Sequence, residues 1–341
     1  MKPCTRVGLD VTRRCNWRCS HCFYTRNPRF GEASDVPLRE IYDKVRRACE
    51  GGLDHAVLTG YGEPTLCANL FEIIDHCHAC GLATSIITNG ATGLNRFAAL
   101  YDSGLDHLHV SAHGRGEVLD RIAGSPGAGR RQAELLDWLA AEGLPWRSNV
   151  TLQQLNYRTV PELVGDALTH SVRHFVLLGF LPHYEWGTDG QYVREVAVHP
   201  GELRPHIEAA ADVLLDARTP VTIRYHPLCH LSPQYWPYVT NARHVYMDPW
   251  EWNYDLQVHD LDALWQASVR IGESVACAEP CNQCLAYRHC GGWNKVMQAA
   301  FGGAGLTPVR DVPDAYADVW EVEGGLHDLN PANAMEGKFC S

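Results

Sequence analysis

The sequence has no long hydrophobic run, no cluster of basic residues and no apolar segment after its amino-terminal Met-Lys-Pro-Cys-Thr-Arg. The longest apolar stretches, such as residues 175–181, are strand-sized and too short to span a bilayer. Without a signal-type apolar region, the expected compartment is the cytoplasm. Lys and Arg number 29 against 40 Asp and Glu, a net charge of −11. An acidic chain without basic runs is a poor partner for nucleic acid or an anionic membrane. Disulfide-scaffold density is missing too: 14 of 341 residues are cysteine. In a reducing compartment such a surplus points to metal binding or catalysis rather than bridges. With 45% apolar and 20% charged residues, the chain has the composition of a globular protein.

What is present is alternation. Strand-like runs are predicted at Arg6–Val11, Ala56–Thr59, Thr84–Thr88, His107–Ala112, Ser148–Gln153 and His174–Phe180. Helical stretches separate them. One carries Leu38, Ile41, Tyr42, Val45, Ala48 and Cys49 on one face, and another Leu203, Ile207, Ala210 and Leu214. Thr159-Val-Pro-Glu162 reads as a capping box. Six strand–helix alternations predict a parallel α/β sheet with right-handed crossovers, either an open barrel or a doubly wound sheet. One face of two strands is polar: His107, His109, Ser111 and His113, then Asn149, Thr151 and Gln153. That pattern predicts a lined cavity rather than a packed interior. After about residue 225 the alternation stops, and Trp, Tyr, Pro, Asp and Cys dominate. Two regions are therefore expected, 1–225 and 226–341, the second ordered by a metal site.

The cysteines fall into two clusters. Cys15, Cys19 and Cys22 follow the first strand with C-x3-C-x2-C spacing. Three thiolates on one loop can hold a [4Fe–4S] cluster and leave one iron open. A structural zinc would need a fourth ligand, and His21, inside the same tight loop, is badly placed to supply it. The other cysteines of the first region, Cys49, Cys67, Cys77 and Cys80, read as small buried apolar groups.

The first cluster and the following Phe23-Tyr24 resemble the signature of the radical S-adenosylmethionine (radical SAM) superfamily, with His21 at its usual aromatic position. Thr59-Gly-Tyr61-Gly62-Glu63-Pro64 is similar to that family's glycine-glycine-glutamate motif, Tyr61 replacing the commoner glycine. Thr88-Asn89-Gly90, Ser111 with His113, and Asn149 resemble further cofactor-facing strand ends. The resemblance covers roughly residues 5–225. It implies a partial (β/α)6 TIM-like barrel with the site at the carboxyl ends of its strands. It also implies a [4Fe–4S] cluster on Cys15, Cys19 and Cys22, with S-adenosylmethionine met by His21, Tyr61, Gly62, Glu63, Pro64, Asn89, Ser111, His113 and Asn149.

Cys281, Cys284 and Cys290 have C-x2-C-x5-C spacing, ambiguous by itself between zinc and iron–sulfur. Beside such a core they resemble the auxiliary-cluster extensions called SPASM or twitch. Cys229 is the first choice for a fourth ligand, with Cys277 and Cys340 as alternatives. A full SPASM set needs a cysteine where Asn294 stands, so one auxiliary [4Fe–4S] cluster is expected.

The resemblance implies an enzyme that reductively cleaves S-adenosylmethionine to a 5′-deoxyadenosyl radical, which takes a hydrogen atom from the substrate. An external donor such as flavodoxin or ferredoxin would supply the electron. The outcome is oxidation, epimerisation or rearrangement, with the auxiliary cluster as electron acceptor or substrate site. Cys15 stands too near the start of the sequence for a leader-peptide domain ahead of it. The expected substrate is therefore a small molecule: a sugar, aminocyclitol, nucleoside or amino acid. Gln153, His113, His183, Tyr184, Glu185 and Trp186 are its candidate contacts. The alternatives are a peptide modifier with a separate recognition protein or none, and a non-enzymatic zinc-binding or redox scaffold.

Overall fold

The computed structural model describes residues 6–22, 33–182 and 190–240, with shorter pieces at 275–276, 279–286, 290, 292–303 and 305–313. Eight strands make one wholly parallel sheet in chain order: β1 (Arg6–Asp10), β2 (His55–Thr59), β3 (Ala83–Thr88), β4 (His107–Val110), β5 (Trp146–Leu152), β6 (Val172–Gly179), β7 (Val221–Arg224) and β8 (Val239–Thr240). β1 and β8 are the edges, so the sheet is an open partial barrel. The crossovers carry α1 (Leu38–Glu50), α2 (Leu70–Ala79), α3 (Leu94–Asp102), α4 (Gly116–Ala123), α5 (Ala128–Ala141), α6 (Val160–Thr169), α7 (Gly190–Val196) and α8 (Pro200–Asp216).

Six strands carry the apolar runs that predict them. β7 and β8 do not, and the sheet continues past residue 225. They are four and two residues long, and β7 alternates Val221 and Ile223 with Thr222 and Arg224. Such stretches are too short for periodicity to register.

The outer face of the sheet is apolar because helices cover it. Val7, Leu9, Leu58, Ile86, Leu108, Val110, Val150, Phe175, Leu177 and Ile223 are each 0–1% exposed. They share one core with Ile41 and Val45 of α1, Ile73 and Ile74 of α2, and Leu203 and Ile207 of α8. Each such buried side chain contributes about 1.5–3 kcal/mol.

The inner face is polar, but at its lower end it is packed rather than hollow. Arg6 pairs in register with His55, and His109 with Arg147, which pairs with His174. His55 bonds Ser85 Oγ at 2.9 Å through Nε2, and His174 bonds Thr222 Oγ1 at 2.9 Å. The expected lined cavity is replaced here by a buried polar layer. Burial, with Arg147 and Arg6 nearby, holds His109 well below its ordinary pKa.

The capping box is not realised. Thr159 does occupy the N-cap of α6, but its hydroxyl donates to Asn156 O at 3.1 Å. The single 3-10 turn Tyr157–Thr159 that precedes α6 places that carbonyl within reach. Beyond the barrel, β9 (Val275–Ala276) pairs antiparallel with β10 (Trp293–Asn294), and α9 (Lys295–Phe301) follows. A second apolar cluster joins Phe180, Tyr192 and Val193 to Trp293, Met297 and Leu306. Among the described residues no helix is long and apolar enough to cross a membrane.

Candidate functional site

The three amino-terminal cysteines sit on the loop that leaves the carboxyl end of β1. Trp17 anchors that loop: it is 3% exposed and packs with Ala91, Leu119, Ala123 and Ala128. Backbone bonds fasten the loop to α4, from Arg18 N to Ala123 O and from Ser20 N to Ile122 O, both 2.8 Å. Cys22 N donates to Cys19 O at 3.0 Å, closing a turn between the second and third cysteines. Desolvation pushes the Cys15 thiol up to about 11, with Glu63 and Cys22 adding like charge, and it raises Cys19 further. Three thiols and a carboxylate thus crowd one place. Ionising them together is costly unless a cationic group joins them, which suits an iron cluster.

The loop after β2 meets this cysteine loop at backbone level. Glu63 N donates to Arg14 O at 2.7 Å. Arg14 also grips Asp35, with contacts of 2.7, 2.8 and 3.1 Å, and Asp35 accepts from Thr12 Oγ1 and Ala68 N. Asp35 carried no sequence signal, because its partners lie 21–33 residues away.

Glu63 is 2% exposed and sits at the centre of the strand ends. Its Oε1 accepts from Thr65 N, Thr65 Oγ1 and Thr88 Oγ1, at 3.1, 2.6 and 2.6 Å. Its Oε2 accepts from Asn89 N at 2.7 Å. Burial pushes this carboxyl up, while the four bonds pull it down. Pro64 opens the short 3-10 helix Pro64–Leu66, and Tyr61 and Gly62 are half-buried. Asn89 Nδ2 donates to Asn16 Oδ1 at 2.7 Å, linking the end of β3 to the cysteine loop. Gln132 of α5, which sequence reasoning missed, donates to Asn89 O at 2.7 Å and Ser111 O at 3.2 Å.

From the other side come β4 and β5. The His21 ring meets His113 edge-on, with centroids 4.5 Å apart. His113 Nδ1 accepts from Thr151 N at 3.1 Å, and Asn156 Nδ2 donates to His113 O at 2.8 Å. Gln153, expected to touch substrate, is 1% exposed and is instead held by Ser20 and His21. Ser111 is half-buried and Asn149 is 8% exposed on the inner face of β5.

Cys15, Cys19, Cys22, His21, Tyr61, Gly62, Glu63, Pro64, Asn89, Ser111, His113 and Asn149 therefore all gather at the carboxyl rim of the sheet. Residues 9–167 match the Radical SAM superfamily. This stretch is a radical SAM domain. Members of that superfamily are enzymes whose cofactors are a [4Fe–4S] cluster and S-adenosylmethionine, and the donor set at this rim fits both. A PqqA peptide cyclase from Methylocella silvestris is 34% identical over 188 residues, 53% of this chain and 49% of that protein. The chain spans about half the length of the curated relatives it matches. A solved structure of Streptococcus suis SuiB bound to precursor peptide SuiA is 17% identical, with TM-score 0.53 over 65% of this chain and 49% of that one. Native anSMEcpe with bound AdoMet is 15% identical, with TM-score 0.56 over 92% of this chain and 94% of that one. At such identities the two structures show a shared fold.

The relatives overturn the small-molecule substrate. They are named for a peptide, and SuiB was solved with one bound. How near Cys15 lies to the start of the sequence does not decide between a peptide and a small molecule.

Past the barrel, Cys229, Cys281, Cys284 and Cys290 line one pocket with Pro227, Leu306 and their neighbours. Val309 N donates to Cys284 Sγ at 3.3 Å, and the Thr307 backbone bonds Cys229. Burial pushes Cys290 up to about 12 and also raises Cys229, with Cys281 and Cys284 adding like charge at Cys229. Among the described residues no three His, Cys, Asp or Glu side chains are close enough to hold a single ion. The spread of four thiols around a pocket suits a larger group. Elsewhere, Cys67 and Cys77 are buried core residues, while Cys49 and Cys80 are half-buried against the same core. Cys277, Cys340, His183, Tyr184, Glu185, Trp186, Phe23 and Tyr24 lie outside the described residues.

Proposed function

We propose that this chain is a radical SAM enzyme that modifies a peptide. The carrying observation is the 34% identity to a PqqA peptide cyclase over 188 residues. Cys15, Cys19 and Cys22 hold the [4Fe–4S] cluster. Strand ends β2 to β5 hold S-adenosylmethionine, through Tyr61, Gly62, Glu63, Pro64, Asn89, Ser111, His113 and Asn149. When bound, these cofactors supply one-electron cleavage of a carbon–sulfur bond and, through it, an acceptor for a hydrogen atom from an unactivated C–H bond. The protein's own work is positioning and exclusion of water. Trp17 and α4 fix the loop, Glu63 ties β2 to β3, and the Gln153–His21 contact ties the loop to β5. Residues 226–341 are read as a SPASM/twitch-like region in which Cys229, Cys281, Cys284 and Cys290 hold one auxiliary [4Fe–4S] cluster. The convergence of those four cysteines on one pocket supports this reading. An external donor such as flavodoxin or ferredoxin delivers the electron.

The test is anaerobic incubation of reconstituted protein with dithionite, S-adenosylmethionine and a synthetic precursor peptide encoded beside the gene. A peptide mass change with formation of 5′-deoxyadenosine is expected. Formation of 5′-deoxyadenosine with every such peptide left intact would count against the peptide assignment.

A further inference from the structure

The segment between the second and third cysteines is gripped by a residue 133 positions further along the chain. Gln153 follows β5, and its main chain is locked in place: Asn156 Oδ1 accepts from Gln153 N at 2.8 Å, while Asn156 N and Tyr157 N donate to Gln153 O at 3.1 and 3.0 Å. Its side chain then makes two bonds into the cysteine loop. Ser20 Oγ donates to Oε1 at 2.6 Å, and Nε2 lies 2.9 Å from His21 Nδ1.

His21 is thereby held from two sides. Gln153 meets its Nδ1 edge, and the His113 ring meets it edge-on with centroids 4.5 Å apart. His113 is itself fixed by Thr151 N, which donates to its Nδ1 at 3.1 Å, and by Asn156 Nδ2, which donates to its carbonyl at 2.8 Å.

We propose that Gln153 is a positioning residue of the radical site. It holds Ser20 and His21 in one orientation between Cys19 and Cys22, so that cofactor binding depends on a side chain at the end of β5. This inference rests on the radical SAM reading of the site and adds to it a residue whose side chain bonds Ser20 and His21 of the cysteine loop.

The test measures iron content and S-adenosylmethionine affinity in the anaerobically reconstituted protein. Affinity is read from the change in the reduced-cluster EPR spectrum on titration. In Gln153→Glu a carboxylate, which can only accept, replaces an amide that bonds both Ser20 and His21. Gln153→Leu removes the bond to His21, and His21→Phe removes the imidazole while leaving Gln153. Each is expected to keep the wild-type iron content and to weaken S-adenosylmethionine binding about tenfold, the size of one lost hydrogen bond. In the Gln153→Leu/His21→Phe double variant the loss is expected to stay near tenfold, because both changes remove one contact. Wild-type affinity in Gln153→Glu and Gln153→Leu overturns the proposal. So does a loss that multiplies in the double variant, or a fall in affinity only in proportion to lost iron. Failure of the wild-type protein to bind S-adenosylmethionine at all would instead sink the radical SAM reading of the site.

Discussion

Gly62 passes so close to Arg14 that a Cβ built on it would lie 2.2 Å from the Arg14 carbonyl oxygen. The same oxygen accepts from Glu63 N at 2.7 Å. Two loops that approach the cofactor site from β1 and β2 are thus joined through one carbonyl, with no room for a side chain between them. Gly62→Ala is expected to force the loops apart, cost about 1–3 kcal/mol of stability and lower iron incorporation. Chemical denaturation and iron analysis check this; wild-type values for both would contradict it.

Glu63 takes four hydrogen bonds from three residues. Glu63→Gln replaces an acceptor oxygen with an amide nitrogen that donates, leaving at least one buried donor unmatched. A loss of about 1–3 kcal/mol is expected, with weaker S-adenosylmethionine binding. Urea unfolding of the apo protein and cofactor titration measure the two effects separately. An unchanged unfolding midpoint would show that the carboxylate is not the hub of the strand ends.

His55 gives a pH signature away from the metal sites. Burial, then Arg6 and His107, lower its pKa from 6.5 to about 4. Since the folded value lies below the unfolded one, its stabilisation is present above pH 6.5 and is lost as pH falls from there towards 4. The full shift corresponds to up to about 3 kcal/mol. The apo protein is expected to lose stability between pH 7 and pH 5, and His55→Gln to lose less over the same range. Equal losses in the two proteins, measured by urea unfolding, would contradict the assignment.

The parts of the site that were legible in the sequence are those whose chemistry is local. Cys15, Cys19 and Cys22 lie on one loop, Asn89 and Ser111 directly follow strands whose apolar runs are plain, and Glu63 lies four residues past the end of another. The parts that were not legible are contacts between distant segments. Gln132 reaches Asn89 across 43 residues, and nothing in its neighbours marks it; Gln153 stood out on the polar face of its strand, but its reach to Ser20 across 133 residues did not. The polar inner face was visible, but not that His55 and His174 would pair with Ser85 and Thr222 and close its lower end. Thr159 had the spacing of a cap but found the carbonyl of Asn156 first.

The auxiliary site predicts a count. Two four-iron clusters give about eight irons per chain. Cys229→Ala removes one of four thiols from the second pocket and is expected to lower the count towards about four, with S-adenosylmethionine binding at the first loop retained. Iron analysis with EPR of the reduced protein reads both. Eight irons in the variant would remove Cys229 from the ligand set.

The central claim is that the open loop of Cys15, Cys19 and Cys22 drives hydrogen-atom removal from a peptide. The most direct measurement is anaerobic turnover of a deuterated precursor peptide with dithionite and S-adenosylmethionine, followed by mass spectrometry of the 5′-deoxyadenosine formed. Deuterium in that product, absent when the three cysteines are replaced by alanine, is the predicted result. Deuterium transfer that survives the cysteine replacements, or 5′-deoxyadenosine that never carries deuterium from any labelled position of a peptide that is modified, would contradict it.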